Sequence, residues 1–178
     1  METNAKQTRS CLAVVALAGA LGTAGCDRSS TAVPNGDSLG IILPSIDGAD
    51  VSLAATNEHE VFVLAFWATW CQPCQSELTK MQGMYDERAG KGLQLYGVSI
   101  DGPDTQSEVV SWSRREGYTF PVLLDAETEI LGRYNPKGDI PFYVVLDASG
   151  NVLRSHQGYV DGDVTELGHF VDELLSRG

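Results

Sequence analysis

Seven consecutive apolar residues, Val61-Phe62-Val63-Leu64-Ala65-Phe66-Trp67, predict a strand buried on both faces of a central sheet. Beyond them, from about Pro73, Leu78, Met81, Met84 and Tyr85 recur at intervals that put them on one helical face until Gly90 and Gly92 end the helix. Pro73 suits the first turn of that helix, where a missing N–H costs nothing. Upstream, Ile41-Ile42-Leu43 and Val51-Ser52-Leu53 flank the turn signal Ile46-Asp47-Gly48-Ala49-Asp50 and predict a short hairpin.

Downstream, Leu93 to Ile100 alternates and is rich in strand formers, Gln106 to Glu116 carries Val109, Val110 and Trp112 on one helical face, and Pro121 to Leu124 is a short strand. These read as successive βαβ units. Glu127 to Tyr134 predicts a brief helix, Phe142 to Leu146 an apolar strand, Ala148-Ser149-Gly150-Asn151 a turn, Val152 to Gln157 the returning strand, and Val164 to Leu175 a closing amphipathic helix. The order implies an α/β fold with a mixed central sheet, helices on both faces and one folded unit over 39–178.

Where the apolar run meets the first helix stands Trp70-Cys71-Gln72-Pro73-Cys74. Two intervening residues let both sulfurs meet within one helical turn, and a cysteine at a helix N-terminus faces unpaired N–H groups that favour its thiolate. The pair reads as a redox dithiol, with a metal site or a structural bridge as the alternatives. A bridge this short closes too small a loop to be a major entropic staple.

The N-terminus has a different character. Lys6 and Arg9 precede the apolar stretch Cys11 to Leu21, and Thr23-Ala24-Gly25 precede Cys26, which is the layout of a secretory signal peptide. The stretch is short for a permanent membrane span. Small residues before a cysteine also resemble the bacterial lipobox, which makes Cys26 the expected lipidation site and first mature residue. Thr23 replaces the Leu usual at the first lipobox position, so ordinary cleavage and a soluble periplasmic product are the alternative. Residues 27–38, rich in Ser, Thr, Pro, Asn, Gly and Asp, read as a tether. With Cys11 removed and Cys26 lipidated, Cys71 and Cys74 are the remaining thiols, in a compartment where disulfides persist.

The segment Phe66-Trp67-Ala68-Thr69-Trp70-Cys71-Gln72-Pro73-Cys74 closely resembles thioredoxin-fold proteins, specifically the exported, membrane-tethered reductases of the TlpA and ResA type. Glu77, the Val98-Ser99-Ile100-Asp101 strand end with its inserted helix, and Ile140-Pro141 ahead of Val144-Val145-Leu146-Asp147 agree with it. The resemblance implies a thioredoxin-like three-layer fold with an N-terminal hairpin and a central βα insertion. It makes Cys71 the attacking thiolate, Cys74 the resolving thiol and Pro141 a cis-proline facing them, with the backbone at Ile140 binding a substrate peptide. Cys71 is expected to be exposed and Cys74 more buried. Trp70, Gln72, Pro73, Ile140 and Pro141 form the expected substrate-contacting set. Thioredoxin's buried aspartate falls at Ala65, and Glu77 is the expected substitute in proton exchange; the plain alternative is a first-turn glutamate complementing the helix dipole. Thr79 replaces a kinking proline, which implies a straighter helix.

These features imply a disulfide reductase acting on oxidised extracytoplasmic proteins such as apocytochrome c, recharged by a membrane thiol donor of the CcdA/DsbD type. It is expected at the periplasmic face of a bacterial inner membrane, as a monomer with no cofactor and no metal. The net charge of −12 argues against nucleic acid and anionic headgroups as partners, so membrane residence falls to the anchor. Haem attachment needs His after the second cysteine, where Gln75 stands, and His59, His156 and His169 lack metal spacing. A peroxiredoxin-like peroxidase is the first rival, but Leu64 and Ala68 occupy the positions of its Pro and Thr. A tethered metal-binding or partner-binding protein is the second.

Overall fold

A computed structural model describes residues 38–54 and 60–177; the leader, Cys26, most of the tether and His59 lie outside the described residues. Strands β1 (Ser38–Pro44) and β2 (Asp50–Ala54) form the N-terminal hairpin, closed by the Ser45 N–H donating to the Ala49 carbonyl at 2.8 Å. Then come β3 (Val61–Trp67), α1 (Gln72–Arg88), β4 (Leu93–Ser99), α2 (Gln106–Glu116), β5 (Val122–Leu124) and α3 (Glu129–Tyr134). The chain finishes with β6 (Phe142–Asp147), β7 (Val152–Gln157) and α4 (Asp163–Leu175).

The five-stranded sheet has the order β5-β4-β3-β6-β7, parallel across β5, β4 and β3 and antiparallel from β3 through β6 to β7. Every residue of β3 is buried because the sheet is covered on both sides. Val63, Ala65 and Trp67 face a layer built from Leu78 and Met81 of α1, Val109 of α2 and Leu167 and Val171 of α4. Phe62, Leu64 and Phe66 face Ile130 and Leu131 of α3 and Ile41 and Leu53 of the hairpin. The fold is the mixed α/β arrangement the sequence implies.

Two details depart from the simple pattern. β4 alternates in sequence yet is buried throughout, because as β3's neighbour it too is covered on both faces. The hairpin also continues onto the sheet: the Ile46 N–H donates to the Val122 carbonyl at 3.0 Å, so β5 is not left as an open edge. Across the helical layer, Arg88 of α1 grips Asp172 of α4 through two 2.8 Å bonds, a bidentate pair that ties the first and last helices together. Among the described residues no helix is long and apolar enough to cross a membrane.

Candidate active site

Parallel pairing decides where the chemistry collects. Trp67 and Ser99 are register partners, so the segments that follow β3 and β4 leave the sheet side by side. The segment after β3 is Ala68-Thr69-Trp70-Cys71; the one after β4 is Ile100-Asp101. Asp101, 1% exposed, accepts the Thr69 backbone N–H at 2.9 Å, the Thr69 hydroxyl at 2.5 Å and the Ser99 hydroxyl at 2.8 Å. The Thr69 carbonyl in turn accepts the Gln75 side-chain amide at 2.6 Å. The turn carrying Trp70 into Cys71 is therefore held from both sides.

Cys71 occupies the N-cap of α1 and Pro73 its first turn. Cys71 and Cys74 are joined in a disulfide with Cα atoms 5.3 Å apart. Cys74, Glu77, Leu78, Met81 and Met84 make up the buried stripe of α1, so Cys74 and Glu77 lie on one face, one turn apart. Cys74 is 1% exposed, as expected; Cys71 corrects the expectation of an exposed sulfur, being only 6% exposed. Bridged to Cys74, its side chain turns into the same core cluster rather than toward solvent.

Glu77 is 1% exposed, and its Oε1 has no hydrogen-bond partner. Burial foremost, with the charge of Asp163 added, pushes its carboxyl up from 4.5 to about 8. Buried and beyond the first turn of α1, it does not fit the plain reading of a first-turn glutamate complementing the helix dipole. Ala65, where thioredoxin carries its aspartate, is a buried apolar contact paired with Gly97 on one side and Tyr143 on the other.

The Ile140–Pro141 peptide is cis. Pro141 leads into β6, which runs antiparallel to β3, so it enters the sheet at the end where β3 gives way to the dithiol. Its carbonyl accepts the Gly158 N–H at 2.8 Å and the Gln157 side chain at 2.9 Å. Buried Asn135 spans the preceding loop, donating to the Asp139 carbonyl and to the Gln157 side chain. Ile140 is half-buried against the cluster that contains both cysteines. Trp70 is 69% exposed, and Gln72 and Pro73 are exposed beside it.

Sequence reasoning missed several members of this region. Asp101 belongs to the family pattern in the sequence, which does not reveal its grip on Thr69; its signal is a carboxylate directly after a buried strand that neighbours β3. Exposed Val160 follows the Gly158 that bonds Pro141. Asp163 and His156 are 3.1 Å apart, and the His156 ring stacks on Tyr143 with centroids 5.3 Å apart. Only tertiary contact brings these last three together.

The model of the AhpC/TSA family matches residues 38–161, which span the hairpin, the sheet and the dithiol helix. The chain belongs to the AhpC/TSA family. Within this AhpC/TSA chain the fold is thioredoxin-like and of the TlpA/ResA type. It is similar to the thiol-disulfide oxidoreductase ResA of Bacillus cereus, 30% identical over 113 residues that cover 64% of this chain and 63% of ResA. The chain thus spans a little under two thirds of that relative's length. It is also similar to sporulation thiol-disulfide oxidoreductase A of Bacillus subtilis, 28% identical over 138 residues that cover 77% of this chain and 79% of the relative. A crystal structure of a thiol:disulfide interchange protein of the thioredoxin family from Chlorobium tepidum superposes with a TM-score of 0.64 at 26% identity, covering 76% of this chain and 92% of that one.

Proposed function

We propose that this AhpC/TSA-family chain is an exported thiol-disulfide oxidoreductase that reduces disulfides of extracytoplasmic proteins through Cys71 and Cys74. The observation that carries the reading is the Cys71–Cys74 disulfide at the mouth of α1, with a buried, unpaired glutamate one turn behind it. The names of its ResA and sporulation thiol-disulfide oxidoreductase relatives support the same class of chemistry.

In the cycle, a dithiol donor reduces the Cys71–Cys74 bond by two electrons, and Glu77 gives its proton to the Cys74 thiolate as that sulfur leaves. Cys71, its thiolate favoured by the α1 N-terminus, then attacks a partner disulfide; one partner sulfur departs as thiolate and a mixed disulfide forms. Cys74 returns its proton to the Glu77 carboxylate and attacks Cys71 Sγ. The second partner sulfur leaves, the partner is reduced by two electrons and the enzyme disulfide is restored. Trp70, Gln72, Pro73, Ile140 and Pro141 border the point of attack and bind the partner.

The leader and Cys26 support export and lipid anchoring at the outer face of the inner membrane, with a membrane dithiol protein of the CcdA/DsbD type as donor and apocytochrome c among the substrates. The reducing direction is favoured because the Gln72-Pro73 pair lacks a histidine to stabilise the reduced form. The test is a Cys74→Ser variant expressed in the native organism. It is expected to accumulate extracytoplasmic proteins disulfide-linked through Cys71; a variant that captures none refutes the reductase reading.

A further inference from the structure

A row of side chains crosses the sheet beneath the dithiol. Ala65 on β3 is the register partner of Tyr143 on β6, and Tyr143 is the register partner of His156 on the edge strand β7. Tyr143 is 1% exposed with its hydroxyl unpaired, and it shares a core cluster with Cys71 and Cys74. Over this row lie α1, bringing Glu77, and the start of α4, bringing Asp163. Asp163 is 9% exposed; its Oδ2 accepts the Val160 N–H at 2.6 Å and faces His156 Nε2 at 3.1 Å. Two carboxyl groups from different helices are thus folded into one apolar layer, one with an unpaired oxygen and the other anchored by an amide and an imidazole.

Resting on the reductase reading, we propose that Asp163, fixed by Val160 and His156, is a positioning residue for catalysis: it keeps on Glu77 the proton that Cys74 surrenders when the dithiol oxidises, so that the proton is in place when Cys74 must leave again. The neighbourhood is one in which Asp163's charge is felt. Around the row stand Cys71, Cys74 and Lys80 of α1, Tyr143 of β6, Arg154 and His156 of β7, and Asp163 and Glu166 of α4. Lys80 is engaged by Asp161 at 2.6 Å, and Arg154 lies 3.7 Å from Glu166. Each cation is paired with a carboxylate other than Glu77. Asp163 stands second only to burial in holding the Glu77 carboxyl in its acid form, and both acids also act on Tyr143. A buried aspartate on the central strand is absent at Ala65; its electrostatic part is divided here between two helices.

The test is infrared difference spectroscopy on the oxidised full-length chain across pH, with the Glu77 acid band assigned by its loss in Glu77→Gln. In the wild type the band is expected to titrate near pH 8. In Asp163→Asn its midpoint is expected to fall toward the value that burial alone sets, because the second cause of its rise is gone. Asp163→Glu, which keeps the charge, is expected to restore it toward the wild-type value. If Asp163→Asn fails to fold, Asp163→Ser removes the same charge and still offers an acceptor at the start of α4. An unmoved midpoint in the charge-removing variant overturns the proposal. Reduction of insulin disulfides is measured alongside: a wild type that cannot perform it overturns the functional reading, and with it the catalytic purpose of Asp163, whatever the band does.

Discussion

Thr69 gives both its backbone N–H and its hydroxyl to one carboxylate, that of Asp101, thirty-two residues further along the chain. The bond pair joins the turn before the dithiol to the end of the neighbouring strand. It fixes the direction in which α1 starts, and hence where Cys71 sits relative to the strand ends.

Asp101→Ala removes the acceptor and leaves the Thr69 amide and the Ser99 hydroxyl without their partner. The expected cost is on the order of 3 kcal/mol, the sum of lost charge-assisted bonds and unpaired buried donors. Urea unfolding of the oxidised protein measures it, and a midpoint equal to wild type contradicts the clamp. Asp101→Asn, which retains one acceptor oxygen, is expected to lose less.

Glu77 makes stability fall as pH rises. Its folded value, about 8, lies above the ordinary value of 4.5, so below about 4.5 both folded and unfolded chains hold the proton and no penalty applies. Between the two values the unfolded chain ionises first, and above about 8 the folded chain carries the full cost of a buried carboxylate. Glu77→Gln, neutral at every pH, is therefore expected to match wild type near pH 4 and to exceed it near pH 9 by up to about 5 kcal/mol. Denaturant unfolding at the two pH values checks this; an equal difference at both contradicts it.

Trp70 is the largest exposed apolar side chain beside the dithiol. Trp70→Ala is expected to change stability by less than about 0.5 kcal/mol, since the ring covers little of the fold. It is expected to raise KM for a protein disulfide while leaving reduction of oxidised glutathione near the wild-type rate. Equal losses on both substrates place Trp70 outside the binding surface.

Gly97, on β4 opposite Ala65, is required by a close approach. A Cβ there falls 2.9 Å from Phe120 Cε2, and Phe120 is 3% exposed and stacked on Tyr118. Gly97→Ala is expected to cost about 1–3 kcal/mol through forced repacking, read as a lowered Tm. A Tm at or above that of wild type shows that the ring yields freely.

Local pattern made most of the elements legible. The seven apolar residues of β3, the 106–116 helix and the 148–151 turn coincide with the observed elements to within a residue or so, because periodicity and turn chemistry are properties of neighbouring residues. The dithiol was legible for the same reason: two cysteines three apart at a strand-to-helix junction need no distant partner to be understood. Glu77 was only half legible. Its spacing from Cys74 puts it on the buried stripe of α1, but its displacement toward the acid form comes first from burial in the assembled core and then from the charge of Asp163, eighty-six residues away in sequence.

The sequence by itself determined the order of strands and helices, the position of Cys71 at the α1 N-terminus and the apolar residue at Ala65, since each follows from short-range spacing. Tertiary structure alone decided that Asp101 holds Thr69, that Cys71 is covered when bridged, and that Tyr143, His156, Asp163 and Glu77 share one layer. Those relationships arise where the ends of different strands and helices converge. Convergence is set by sheet register and helix packing, and no local run of residues records it.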